Sequence, residues 1–83
     1  MALLIPLRVE KQLEVMPRPD RMRLMERLKG IAVEPDHQHP NVRPLVGRPG
    51  VFRVRQGDWR ALFRIEDPDV VVIRVAHRRE AYE

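Results

Sequence analysis

The second half of the chain alternates apolar and charged residues with the period of a β-strand. Phe52 and Val54 point to one face of such a strand, and Arg53 and Arg55 point to the other. After the turn-forming residues 56–58 the alternation resumes. Its apolar positions are Trp59, Ala61, Phe63 and Ile65, and its basic positions are Arg60 and Arg64. The pattern therefore predicts a β-hairpin with one apolar face and one arginine face.

A third strand is predicted over residues 70–75, which are apolar at nearly every position. A continuous apolar run is typical of a central strand that is covered on both sides. The connection 66–69 is short, so we expect the third strand to be an antiparallel neighbour of the hairpin. In such a meander, the residues that follow the strand, His77, Arg78 and Arg79, return to the arginine face.

Two short helices are predicted ahead of these strands. The first begins at Pro6, and its apolar stripe is Val9, Leu13 and Met16. The second begins at Pro19 and Asp20, and its stripe is Leu24, Met25, Leu28, Ile31 and Ala32. Residues 2–5 are predicted to form a brief strand, and residues 34–50, with four prolines, an irregular connection. We expect an α+β fold, with an N-terminal helical hairpin packed on a small antiparallel β-sheet, in a single domain over residues 1–83.

The positive charge of the chain is concentrated in the predicted hairpin. The sequence has 16 basic and 12 acidic residues, and Lys11 and Lys29 are its only lysines. Residues 43–64 carry six arginines and a single acidic residue, Asp58. Arginine binds phosphate bidentately, so a segment of this kind attracts nucleic acid or an acidic protein segment. A general arginine bias of the genome explains the composition equally well, and composition alone leaves both interpretations open.

Several kinds of site are not expected in this chain. It has no cysteine, which excludes disulfides and thiolate metal ligands. His37 and His39 form a His-x-His pair, but a zinc site needs three or four ligands, so we expect no metal and no cofactor. The apolar run 2–5 is too short for a membrane span or a signal sequence. We therefore expect a cytoplasmic protein that does not bind membranes.

Residues 45–82 contain two separated motifs, Leu45-x-Gly47-x-x-Gly50-Val51-Phe52-Arg53-Val54-Arg55-x-Gly57-Asp58-Trp59-Arg60 and, later, Val75-Ala76-His77-Arg78-Arg79-x-x-Tyr82. Together these motifs resemble the RelE/ParE toxin superfamily. The resemblance implies a RelE-like fold and the toxin of a type II toxin–antitoxin pair, with a cognate antitoxin as partner. We expect an acidic antitoxin segment that covers the arginines and stabilises this small domain.

The superfamily contains ribosome-associated mRNA endoribonucleases and gyrase poisons, and the C-terminal motif resembles the nucleases. That likeness implies metal-free cleavage of mRNA in the ribosome by attack of the RNA 2′-hydroxyl. The residues it implies as catalytic are Arg60, Arg78 and Tyr82, and those expected to contact RNA are Arg48, Arg53, Arg55 and Arg79. The alternative is a ParE-like topoisomerase inhibitor without nuclease activity, or a decayed toxin that acts only by binding protein.

The proton carrier of such a reaction is left open by the sequence. Guanidinium groups stabilise negative charge but transfer protons poorly, because they stay charged. No lysine follows Lys29, so the main candidates near the arginines are His77 and Tyr82, with Glu80 and Asp58 as weaker ones. His77 is the better base on chemical grounds, since an imidazole exchanges protons near neutral pH. Tyr82 is the better base by resemblance.

Overall fold

The computed structural model describes residues 2–35 and 38–79. Its helices are α1 (Leu7–Glu14) and α2 (Arg18–Val33), and its strands are β1 (Leu3–Leu4), β2 (Val42–Pro44), β3 (Val51–Gln56), β4 (Trp59–Glu66) and β5 (Asp69–His77). The strands form one five-stranded sheet in the order β1-β5-β4-β3-β2. Both helices pack on one face of this sheet, which confirms the predicted α+β fold.

The two helices begin where prolines favour a helix start. α1 follows Pro6 directly, and α2 follows Pro17 directly and carries Pro19 in its first turn. A proline costs little there, because the first N–H groups of a helix have no intrahelical acceptor. The second helix therefore begins slightly earlier than the sequence predicts. Neither described helix is long and apolar enough to cross a membrane.

Two further strands extend the predicted meander into a mixed sheet. β1 runs parallel to β5, with Leu3 beside Val70, whereas every other neighbouring pair is antiparallel. β2 runs beside β3, with Val42 opposite Val54. The prediction of an irregular connection is therefore wrong at residues 42–44. Pro44 is compatible with this strand because it lies at the edge of the sheet, where a missing N–H is tolerated.

A β-bulge in β5 decides which of its side chains reach each face of the sheet. The β4 neighbours Leu62 and Phe63 pair with Arg74 and Val72, so Ile73 has no partner on β4. Strict alternation along β5 would point Arg74 to the same face as Val72. The bulge reverses the alternation, and Arg74 consequently lies on the opposite face.

The core lies between the helices and one face of the sheet. Its buried residues are Val9, Leu13, Met16, Leu24, Leu28, Ile31, Ala32, Val54, Ala61, Phe63, Val70, Val72 and Val75. Phe63 is 1% exposed and stacks on Phe52 with ring centroids 5.6 Å apart. The predicted apolar face of the hairpin is therefore confirmed, and Trp59 packs against this core as well.

Candidate active site

The face of the sheet opposite the helices carries an array of arginines, and we call it the open face. The strand register aligns its residues in three rows. The first row is Arg55, Arg60 and Ala76; the second is Arg43, Arg53, Leu62 and Arg74; the third is Val51, Arg64 and Val71. Successive rows are two residues apart on β3 and β4, or about 7 Å. Beyond the third row lie the acidic residues Glu66 and Asp69, which are paired across β4 and β5.

The apolar residues within this array are buried although the helices pack on the other face. Leu62 is only 4% exposed. In the register it lies between Arg53 and Arg74, and along its own strand between Arg60 and Arg64. Long arginine side chains cover apolar surface with their aliphatic stems while their charged heads stay in water. The arrangement therefore presents guanidinium groups to solvent above a small apolar strip.

The first row lies beside the β3–β4 turn, and the end of β5 docks against this turn. The backbone N–H of Arg78 donates to the carbonyl oxygen of Asp58 at 2.6 Å. The side chains of these residues form an exposed ion pair, with Nη1 3.7 Å from Oδ1. The tight turn requires a positive φ at position 57, and Gly57 adopts +58° because glycine has no Cβ that would clash there. As a result, Arg78 lies at the same end of the open face as Arg55 and Arg60.

The guanidinium group of Arg60 is held over this turn. Its Nη1 donates to the carbonyl oxygens of Gly57 and Trp59, each at 3.0 Å. Its Nε is buried and finds no hydrogen-bond acceptor among the described residues. The two backbone contacts fix the position of the positive charge beside Arg55, which faces it across the β3–β4 pair. A charge held in place in this way stabilises an anion without reorganisation.

The structure does not bring His77 together with the first row. His77 pairs with Trp59, and because Trp59 packs against the core, both side chains lie on the side of the helices. The two rings meet edge to face with centroids 5.5 Å apart. The backbone N–H of Arg79 donates to His77 Nδ1 at 3.4 Å. A neutral ring in this arrangement carries its proton on Nε2, because Nδ1 is the acceptor.

The other predicted RNA contacts lie at different places on the molecule. Arg53 is half-buried in the second row, and Arg48 is exposed in the loop that precedes β3. Arg79 is exposed and follows β5. Tyr82, which the sequence predicts as catalytic, lies outside the described residues.

Of the two histidines in the proline-bearing connection, the structure describes His39. His39 Nε2 donates to the carbonyl oxygen of Glu34 at 2.8 Å. His37 lies outside the described residues. Within residues 2–35 and 38–79, His, Asp and Glu side chains form no group of three or more that would hold a metal ion.

Sequence reasoning missed a second cluster of arginines on the open face. Arg8, Arg48, Arg64 and Arg74 line one cavity of about 380 Å³ together with Gln12 and Ile73. The alternation along β4 already indicates the direction of Arg64. The direction of Arg74 depends on the bulge, and the approach of Arg8 depends on how α1 packs.

Comparisons with known proteins identify the family of this fold. A family model described as the ParE toxin of the type II toxin–antitoxin system, parDE, matches residues 8–82. No curated protein sequence gives a significant match. A solved structure of the RelB–RelE antitoxin–toxin complex from Methanococcus jannaschii contains a similar chain, with a TM-score of 0.80 at 18% identity over 96% of this chain and 95% of that chain.

Two further solved structures are similar over most of their length. One is the toxin–antitoxin complex RelBE2 from Mycobacterium tuberculosis, with a TM-score of 0.72 at 28% identity over 93% of this chain and 96% of that chain. The other is the isolated E. coli RelE toxin, with a TM-score of 0.75 at 22% identity over 90% of this chain and 81% of that chain. The family model spans nearly the whole sequence. The chain therefore belongs to the ParE toxin family, within the RelE/ParE superfamily, and is the toxin of a type II toxin–antitoxin system.

Proposed function

We propose that this toxin is an endoribonuclease that cleaves mRNA in the ribosome without a metal ion. The observation that supports this proposal is the position of Arg55, Arg60 and Arg78 at one end of the open face. In such a reaction the RNA 2′-hydroxyl attacks the adjacent phosphate, and the bond from phosphorus to the leaving 5′-oxygen breaks. The phosphate gains negative charge during attack, and each well-placed donor accelerates such a step by about 10²–10³.

The 2′-hydroxyl loses its proton to a base, and the leaving 5′-oxygen gains a proton from an acid or from water, which gives a 2′,3′-cyclic phosphate and a 5′-hydroxyl. The arginines do not supply the base. His77 lies on the side of the helices, and its Nδ1 already accepts from the backbone of Arg79. The proposal therefore assigns the base to Tyr82, the role implied by the resemblance to RelE-like nucleases. Arg60 and Arg78 hold the phosphate, and Arg53 and Arg55 add contacts to the RNA backbone.

The second candidate function is inhibition of a topoisomerase without RNA cleavage. Two observations favour it. The matching family model is that of the ParE toxin, and the candidate base His77 does not share a face with the arginines. In this function the open face binds a protein or a protein–DNA complex, and no proton transfer is needed.

Primer extension of cellular mRNA after induced expression separates the two functions. For a nuclease we expect discrete cuts within translated codons, whereas intact mRNA with an SOS response supports the topoisomerase inhibitor. The variant Arg78→Gln should lose the cuts. Its side chain is 59% exposed, so replacement should change the free energy of unfolding by less than about 0.5 kcal/mol. Arg23→Gln on α2, on the side of the helices, is the matched control and should cut like wild type.

We also propose a cognate antitoxin whose acidic segment covers the open face. The M. jannaschii and M. tuberculosis neighbours are chains of antitoxin–toxin complexes. The three rows present six arginines, and an acidic segment that folds on binding would neutralise the charge that RNA requires. Coexpression with the neighbouring reading frame tests this partner. A toxin that purifies alone as a stable monomer and does not bind that neighbour would contradict it.

A further inference from the structure

The cavity lined by Arg8, Arg48, Arg64 and Arg74 lies at the opposite end of the open face from the turn. We call it the arginine cavity. Arg64 and Arg74 reach it from the sheet, Arg48 from the loop before β3, and Arg8 from α1. Three separate parts of the chain therefore direct guanidinium groups into one space of about 380 Å³.

Contacts between α1 and the outer edge of β5 hold one wall of the arginine cavity in place. β1 covers this edge only at the start of β5, beside Val70 and Val71. Further along, Gln12 Oε1 accepts from the backbone N–H of Val75 at 2.7 Å. Arg8 Nη2 donates to the carbonyl oxygen of the bulge residue Ile73 at 3.4 Å. The bulge and α1 thus place Arg8 next to the sheet arginines.

Positive charge predominates among the described residues that line the arginine cavity. Besides the four arginines, these residues are Gln12 and Ile73, which are uncharged. Glu66 forms an ion pair with Arg64, with Oε1 2.8 Å from Nε, but both side chains are about half exposed. An exposed pair of this kind is weak and is screened by salt. Converging guanidinium groups repel one another, and a bound anion with several oxygens relieves that repulsion.

We propose that the arginine cavity binds a phosphate group of the RNA strand that flanks the scissile phosphate. This inference rests on the proposed nuclease function. Arg74 lies in the second row and Arg64 in the third, so the cavity lies about 7–13 Å from the first row. That distance corresponds to a few nucleotides along a single strand. The RNA then crosses the open face over the second row, where Arg53 and Arg43 lie.

The salt dependence of RNA binding tests this contact. The probe is a short single-stranded RNA with 2′-O-methyl groups at every position, which prevents attack on the phosphate. Binding is followed by fluorescence anisotropy at increasing salt for wild type, the double variant Arg64→Gln/Arg74→Gln and the loop variant Arg48→Gln. Each lost phosphate contact should reduce the slope of log K against log salt by about 0.7. Arg23→Gln removes one charge from α2, as Arg48→Gln removes one from the loop, and should keep the wild-type slope.

The variants differ in their risk of disturbing the fold. Arg48 is exposed in a loop, so Arg48→Gln should fold like wild type. This variant therefore still tests the inference if the double variant does not fold. The inference is overturned if the folded variants keep the wild-type slope, or if wild type shows no salt-dependent binding of this RNA. It is also overturned if the variants lose affinity for polyglutamate but not for RNA, since the cavity would then recognise an acidic protein.

Failure of the proposed function gives a different result. In that case wild type makes no cuts in the primer-extension assay, yet the slope for the 2′-O-methyl RNA still falls in the cavity variants. That combination supports the arginine cavity as an RNA phosphate site and rejects the nuclease. If wild type makes cuts and the cavity variants keep the wild-type salt slope, the phosphate site in the arginine cavity is rejected and the nuclease function is not.

Discussion

Arg60 contributes to the stability of the fold as well as to the candidate site, and one substitution tests both. A solvent-facing strand residue usually changes the free energy of unfolding by less than about 0.5 kcal/mol when it is replaced. Arg60 differs, because its Nη1 donates to two carbonyl oxygens of the β3–β4 turn. The variant Arg60→Ala removes both hydrogen bonds and the positive charge.

The expected loss of stability follows from these two contacts. A hydrogen bond in a protein contributes about 0.5–1.5 kcal/mol net, so Arg60→Ala should lower the free energy of unfolding by about 1–3 kcal/mol. In a domain of this size each kcal/mol lowers Tm by about 4–8 °C. Arg55 is the matched control, since it faces Arg60 across the strand pair and is exposed. Arg55→Ala should stay within about 0.5 kcal/mol of wild type.

Urea denaturation gives the free energy of unfolding of both variants. The fluorescence of Trp59 reports unfolding near the turn, because this single tryptophan adjoins it. Primer extension measures their cleavage, which should fall by about 10²–10³ for Arg60→Ala. Equal unfolding free energies for the two variants would refute the structural role of the turn contacts. Wild-type cleavage by a folded Arg60→Ala would refute its place in the active site.

Three other substitutions have expected outcomes. His77→Gln should keep cleavage within a few-fold of wild type, because the ring lies on the side of the helices; a fall of about 10²–10⁴ in the cleavage rate would instead identify it as the base. Gln12→Leu leaves the backbone N–H of Val75 without its acceptor and should lower the free energy of unfolding by about 1–3 kcal/mol in urea. Phe63→Ala should cost about 3–5 kcal/mol and leave little folded protein by circular dichroism, so a native spectrum with an unchanged midpoint would contradict the core assignment.

The helices and the hairpin were predictable because local spacing decides which side of each element is buried. Phe52 and Phe63 alternate with arginines, so only one face of the hairpin was able to join a core. Val9 and Leu13 are one helical turn apart, and both are buried in the observed α1. At these positions the local pattern and the final packing agree, which is why the sequence alone predicts the fold class.

The brief strand at residues 2–5 was predicted, but its parallel pairing with β5 and the whole of β2 were not, because the pairing of edge strands depends on distant residues. β1 is two residues long, and its partner Val70 lies at the other end of the sequence. β2 is three residues long and ends at Pro44, in a segment whose prolines indicate a loop. A strand of this length has no periodicity to detect. The partner strand, rather than the local sequence, stabilises it.

The bulge at Ile73 explains why the candidate site was only partly predictable. An apolar residue at this position fits either face of a central strand, so the sequence pattern does not reveal the extra residue. Strict alternation would place His77 with the arginines and Arg74 in the core. The bulge exchanges these positions, and it thereby creates the arginine cavity while it removes the imidazole from the open face.

This exchange has a consequence for the proposed reaction. The three rows of the open face contain arginine and apolar residues, and a guanidinium group keeps its charge throughout the physiological pH range. Any phosphate binding by these rows should therefore not change with pH near neutrality, and the rows do not exchange protons themselves. Proton transfer has to come from a group outside the rows, which in the proposed mechanism is Tyr82 in the C-terminal tail. The contact of Arg78 with Asp58 places the end of β5 beside Arg60, at the end of the sheet where the proposed mechanism binds the phosphate.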